Sequence, residues 1–168
     1  MPSVFVRSAT PEDVTFLTDV VVVTTRAQGR LPVDFDEDEF RAGFAEWTSE
    51  QVQGVVPGNE TCVVEIDGAR AGRLRIVQQS DRVELAGIQL LPAHQGQGIG
   101  TYLVEQFLVE ARRAGLTPTV AVEKDNPRAR RLYERLGFVL VGETQRDDVL
   151  EWRGVTPAGA GSDRSAAR

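Results

Sequence analysis

Apolar positions change their period several times along this chain, and each change predicts an element. Val4-Phe5-Val6-Arg7 is a short β-branched and aromatic run, which predicts a strand. Thr10-Pro11-Glu12-Asp13 has the chemistry of a helix start: a hydroxyl to cap, a proline for the first turn, and two acids at the positive end of the dipole. That helix is expected to run to about Gln28, where Gly29 can close it, although its Val20–Val23 stretch is β-branched and stiff. A second helix is expected from Asp34 to about Val52, because Phe40, Phe44 and Trp47 recur four and three residues apart and share a face. Beyond a loop at Val55–Asn59 come three strand-like runs, Thr61–Ile66, Ala69–Val77 and Val83–Leu91. Turn residues at Asp67-Gly68 and Ser80-Asp81 join them as an antiparallel meander.

The second half switches to alternation of helix and strand. Tyr102, Leu103, Phe107, Leu108 and Ala111 trace a helix face that ends at Gly115. Thr117–Val122 predicts a strand, Asn126-Pro127 opens a helix through Leu136, and Gly137 ends it. Phe138 to about Gln145, a turn at Asp147-Asp148, and Val149–Trp152 predict a last hairpin. The unit Val83–Leu91, helix, strand has the form of a right-handed parallel crossover. The order predicts one α/β (α+β) domain over residues 1–153, with a mixed, mostly antiparallel sheet of about seven strands flanked by four helices. Residues 154–168 are rich in Gly, Ala and Ser without periodicity and are expected to form a disordered tail.

Composition narrows the chemistry. A length of 168 residues suits one domain with a real core. The net charge of −6 disfavours binding to nucleic acid, which needs a basic face. The single cysteine, Cys62, gives neither a disulfide nor a zinc set, and its place in a strand predicts a buried small hydrophobe. His94, the single histidine, has no like partner for a metal, so no metal is expected. No signal segment and no membrane-length apolar run is evident, so a cytoplasmic protein with no membrane partner is expected.

Gln95-Gly96-Gln97-Gly98-Ile99-Gly100 places three glycines between a strand and a helix. Glycine costs entropy there, so bare backbone must serve a purpose. A helix N-terminus offers unpaired N–H groups and about half a positive charge. Diphosphate oxygens match both, which predicts a pyrophosphate cradle; a plain glycine turn is the alternative. A dinucleotide fingerprint is excluded by spacing, since the sixth position counted from Gly96 is Thr101, and no P-loop lysine follows.

At these residues the sequence resembles the GNAT superfamily of N-acetyltransferases. Gln95-x-x-Gly98-x-Gly100 is similar to that family's (Gln/Arg)-x-x-Gly-x-(Gly/Ala) motif. The stretch Asn126-x-x-Ala129-x-x-Leu132-Tyr133-x-x-x-Gly137-Phe138 is similar to a second signature, and Val6-Arg7-x-Ala9-Thr10-Pro11-Glu12-Asp13 to a common start. The resemblance implies acetyl-CoA as donor and a primary amine, on a small molecule or a peptide, as acceptor. It implies backbone pairing of the pantetheine arm at Ile88, Gln89 and Leu90, with pyrophosphate contacts at Gln95, Gly96, Gln97, Gly98, Ile99, Gly100 and Thr101. It also implies a pantetheine contact at Asn126, whose plain alternative is a helix cap. Asn126 and Tyr133 share a helix face, being seven residues apart and about 20° short of two full turns.

The same resemblance assigns Tyr133 as the acid that protonates the leaving thiolate, against the alternative of a core aromatic. It matches Glu84, eleven residues before Gln95, to a family base position. Between apolar Val83 and Leu85, partial burial would raise the pKa of Glu84. Glu123 and a water chain are the rivals for the base. Asp34, Asp36, Glu37, Asp38, Glu39, Asp147 and Asp148 would either form an acidic rim that attracts a cationic amine or simply complement a helix dipole and a turn. A noncatalytic acyl-CoA-binding sensor is the alternative function, and a homodimer is left open.

Overall fold

The computed structural model describes residues 1–154. The expected tail therefore lies, apart from Gly154, outside the described residues. Seven strands form one sheet: β1 (Val4–Ser8), β2 (Asn59–Ile66), β3 (Ala69–Gln78), β4 (Arg82–Leu90), β5 (Thr117–Glu123), β6 (Phe138–Glu143) and β7 (Asp147–Trp152). Four helices flank it: α1 (Val14–Ala27), α2 (Glu37–Val52), α3 (Ile99–Arg113) and α4 (Pro127–Arg135). The strand order is β1-β2-β3-β4-β5-β7-β6, antiparallel throughout except for the parallel pair β4 and β5. The mixed, mostly antiparallel sheet with four helices is the architecture expected from the sequence. No helix among the described residues is long and apolar enough to cross a membrane.

Local chemistry sets the element ends. The first helix begins as a single 3-10 turn, Pro11–Asp13, before α1. Asp13 accepts from the Thr10 amide at 2.9 Å and holds the Arg7 guanidinium through two contacts of 2.7 and 3.1 Å. The β-branched stretch of α1 stays helical because Val20 and Val22 are buried; Thr18 and Thr24 satisfy their hydroxyls on the carbonyls of Val14 and Val20. The second helix starts at Glu37 rather than Asp34, because the Asp36 side chain caps it by accepting from Glu39 N at 3.0 Å.

The last hairpin turns two residues earlier than expected. Thr144 Oγ1 accepts from the amides of Arg146 and Asp147, so the hydroxyl makes the turn. Asp147 and Asp148 then lie in β7, paired with Glu123 and Val122 of β5.

The two faces of the sheet differ. Leu74, Val83, Leu85, Leu90, Val120, Val122 and Leu150 join Ile99, Leu103, Val104 and Phe107 of α3 in the main apolar core. Cys62 is buried in this core, and burial pushes its thiol up to about 12, so it behaves as a hydrophobe. The opposite face, below α2, carries Thr61 and Arg75, both bonded to Gln51 of that helix, together with Arg73 and Glu84.

Candidate functional site

The site begins with a mismatch between two parallel strands. β4 and β5 pair only from Arg82 opposite Thr117 to Leu85 opposite Val120, after which β4 runs on to Leu90 beside β3 but without β5. Its pairing with β3 slips by one residue there: Arg75 lies opposite Gly87, but Ile76 lies opposite Leu85, so Ala86 is extra. Such a bulge bends a strand and swaps its faces. Leu85 lies in the apolar core before the bulge and Leu90 after it, while Glu84, Gly87 and Gln89 share the α2 face.

The ladder shows which backbone groups this leaves open. Leu91 N donates to Ala71 O at 2.9 Å, so the alternate pairs Arg73–Gln89 and Arg75–Gly87 carry the hydrogen bonds to β3. Ile88 and Leu90 therefore turn their N–H and C=O groups toward the gap that β5 leaves. Gln95 Nε2 donates to Leu90 O at 2.8 Å from that side, tying the glycine loop to the end of β4. Gln89 uses its backbone for β3, which separates it from the other two expected positions.

Both strands that border the gap lead into helices at their carboxyl ends, so the N-termini of α3 and α4 sit at the same end of the opening. Gly98 is the N-cap of α3, left-handed at φ +78°, and Gly96 has φ +70°. Both conformations favour glycine. Gly98 has no side chain to cap the helix, so the first amides of α3 lack a side-chain partner. A Cβ built at Gly96, Gly98 or Gly100 would meet no atom within 4 Å. Gly100 is helical, so neither its dihedral angles nor any protein neighbour demands glycine. The bare surface is open space in front of a helix N-terminus, which fits a diphosphate.

Asn126 is the N-cap of α4: its Oδ1 accepts from Ala129 N at 3.2 Å, with Pro127 behind it. Nearly two turns later, the Tyr133 ring is buried with Phe138 edge-on at 5.6 Å between centroids. The hydroxyl makes no hydrogen bond among the described residues. Burial pushes its pKa up to about 12, which keeps the phenol protonated and able to donate at neutral pH. Glu84 is half-buried, and burial raises its carboxyl above the ordinary range, aided by the charge of Asp147 and opposed by Arg75. The rival Glu123 is exposed and bound by Arg30, which also holds Asp125 at 2.8 Å.

Three of the seven rim acids are engaged. Arg26 and Arg41 bridge Glu37, Arg130 holds Asp148, and Asp36 is spent on the cap. Asp36 and the first-turn acids Glu37, Asp38 and Glu39 also fit the dipole-complementing alternative.

Sequence patterns did not mark three features of the α2 face. Arg73 is 4% exposed and lies beneath Phe44 and Trp47, with its guanidinium carbon 5.4 and 5.9 Å from the ring centroids. Arg75 lies 4.8 Å from the Trp47 centroid. Gly87 faces the Arg73 guanidinium, and a Cβ there would sit 2.7 Å from Nη1. In sequence, Arg73-Leu74-Arg75-Ile76 reads as a strand with one wet face. The one available signal was the aromatic ladder Phe35, Phe40, Phe44 and Trp47, which has no equally apolar strand to cover.

Known proteins share this fold. The structure is similar to that of the PaiA N-acetyltransferase of Thermoplasma acidophilum, solved in complex with coenzyme A, with TM-score 0.75 and 18% identity over 89% of this chain and 98% of that one. It is also similar to an acetyltransferase of Thermus thermophilus, with TM-score 0.70 and 17% identity over 91% and 97% of the two chains. Among curated proteins, 53 residues are 42% identical to the L-methionine sulfoximine/L-methionine sulfone acetyltransferase of Salmonella typhimurium. That match spans 31% of this chain and 31% of that relative's length. The family description "Acetyltransferase (GNAT) family" matches residues 20–138, well over half of the sequence. The chain belongs to the GNAT family of acetyltransferases.

Proposed function

We propose that this protein transfers the acetyl group of acetyl-CoA to a primary amine by direct attack. The observation that carries the proposal is the open edge of β4 at Ile88 and Leu90, which ends at the uncovered glycines before α3. An extended amide-containing arm can add to such an edge like a strand. The N–H groups of Gly96 to Thr101 would hold the pyrophosphate, with Gln95 fixing the loop and Asn126 bordering the other side of the gap.

The protein's own groups then divide the chemistry. Glu84 takes the proton from the acceptor amine, and burial tunes its carboxyl for that task. The N–H of Leu90 or Ile88 donates to the carbonyl oxygen as negative charge develops there. Tyr133 gives its proton to the departing sulfur as the new C–N bond forms and the C–S bond breaks. The products are an acetamide and free CoA thiol; the proton held by Glu84 passes to solvent, and Tyr133 regains a proton from solvent. Glu123 is the poorer base because Arg30 occupies its carboxylate.

Titration with coenzyme A, NAD and ATP tests donor binding. Coenzyme A alone should raise the melting temperature and move the backbone amide signals around Gly98. A panel of amines with acetyl-CoA, read by thiol release, then tests transfer. Unmoved signals at saturating coenzyme A would refute the donor site, and binding without thiol release from any amine would favour the sensor alternative.

A further inference from the structure

The arginines of this protein are distributed against expectation. Those within 4 Å of a carboxylate range from Arg30, with a side chain 16% exposed, to Arg113 at 73%. Arg73, at 4%, has no carboxylate within that distance among the described residues. A buried cation is costly unless it is paired and fully hydrogen-bonded. Arg73 is neither. Nη1 donates to Gln89 Oε1 at 3.1 Å, and Nε is buried with no partner at all. Nη2 makes no hydrogen bond among the described residues.

Arg75 repeats the pattern one strand position further along the same face. Its partners are the neutral oxygens of Gln51 at 3.1 Å and Asn59 at 2.6 Å, together with the Trp47 ring. Glu84 shares the face but lies beyond 4 Å of either guanidinium, so it closes no ion pair with them. Two adjacent guanidiniums, backed by aromatic rings and held by neutral side chains, form a preset anion receptor. The planar fork of arginine matches a carboxylate through two parallel hydrogen bonds.

We propose that the acceptor amine also carries a carboxylate, and that Arg73, flanked by Arg75, receives that carboxylate on the α2 face of β3 and β4. The proposal rests on the transfer reaction above and names its substrate class: amino acids and compounds of that form. Position along β4 supports it. Glu84 lies on one side of the Ala86 bulge, and Gly87 and Gln89, which adjoin Arg73, lie on the other. An acceptor laid along this face would therefore meet the base with its amine and the guanidinium with its acid. Gly87 leaves room for that guanidinium, and Phe44 and Trp47 hold it from the other side. The same cations disfavour polyamines, which would bring like charge to a buried positive site.

The test compares matched acceptors: free amino acids, their carboxamides, and the decarboxylated amines with the same side chains. With the wild-type enzyme, thiol release from acetyl-CoA should favour the acids by about 10- to 100-fold in kcat/KM, mostly through KM. Arg73→Met should erase that preference, and Arg73→Lys should restore part of it. The coenzyme A-induced rise in melting temperature should be unchanged in both variants, which separates loss of acceptor recognition from loss of the donor site. The acids should also raise the melting temperature of the coenzyme A-saturated wild type, but not that of Arg73→Met, and this readout does not need turnover. Wild-type preference for the counterparts lacking a carboxylate, acid preference retained in Arg73→Met, or no thermal response to any acid would each overturn the proposal.

Discussion

Arg73→Met should make the protein more stable when no acceptor is bound, although it removes a residue from the centre of the site. Burial, and secondarily the charge of Arg75, lowers the Arg73 guanidinium from its ordinary 12.5 to about 10. At about 1.36 kcal/mol per pKa unit, holding that charge in the folded state costs about 3 kcal/mol. Methionine would forfeit the cation–π contacts with Phe44 and Trp47, about 1 kcal/mol together. It would also leave Gln89 Oε1 without its donor, about 1 kcal/mol more. A net gain of about 1 kcal/mol remains, which for a domain of this size is a rise of roughly 2–4 °C in melting temperature.

The pH dependence has a definite sign. Arginine is protonated in the folded and unfolded states alike from about pH 6 to about pH 9, so the difference between variant and wild type should be flat there. Above about pH 10 the wild type sheds this proton first in its folded state, so its stability should climb relative to the variant. Thermal melts of both proteins across that range provide the assay. A melting temperature for Arg73→Met several degrees below wild type would show that the guanidinium is a satisfied structural charge with no need of an anion.

The catalytic assignments make further predictions. Tyr133→Phe keeps the edge-on packing against Phe138, so coenzyme A affinity and melting temperature should hold while kcat falls about 10²- to 10⁴-fold; an unchanged kcat would remove the acid. Glu84→Gln should lower turnover and flatten its rise with pH, and Asp147→Asn, by removing a charge that raises the Glu84 pKa, should shift that rise to lower pH in the wild-type background. A profile that ignores both changes would point to a water chain. Gly98→Ala places a Cβ at φ +78° and should cost about 1–2 kcal/mol in urea melts while weakening coenzyme A in titration calorimetry; full affinity would clear this amide of phosphate contact. Asp13→Asn leaves Arg70 without its carboxylate and Arg7 with Glu65 alone, and removes a buried charge that both arginines hold, which should cost about 3 kcal/mol. The Arg7 guanidinium holds the Asp13 carboxyl well below the ordinary carboxylate range, so this contribution is complete above about pH 4 and fades as the pH falls below it. Acid titrations of wild type and variant should therefore converge.

Local rules carried much of this protein. Period-two runs separated by Asp67-Gly68 and Ser80-Asp81 determined the meander, because turn chemistry and alternation act between near neighbours. Asn126-Pro127 and the glycines before Ile99 announced two helix starts, because caps and left-handed backbone are local demands. The final turn was misplaced because Asp147-Asp148 and Thr144 both favour turns, and only pairing with β5 and the Arg130 contact draw the two acids into a strand. The bulge at Ala86 was likewise invisible, since one extra residue has no meaning until β3 supplies the register. That slip decides which side chains share a face with Glu84. Tertiary structure alone brought Arg73 beneath Phe44 and Trp47 and withheld a carboxylate from it. Burial and charge balance depend on residues distant in sequence, so the chain by itself announced the glycine loop before α3 and left the buried Arg73 unmarked.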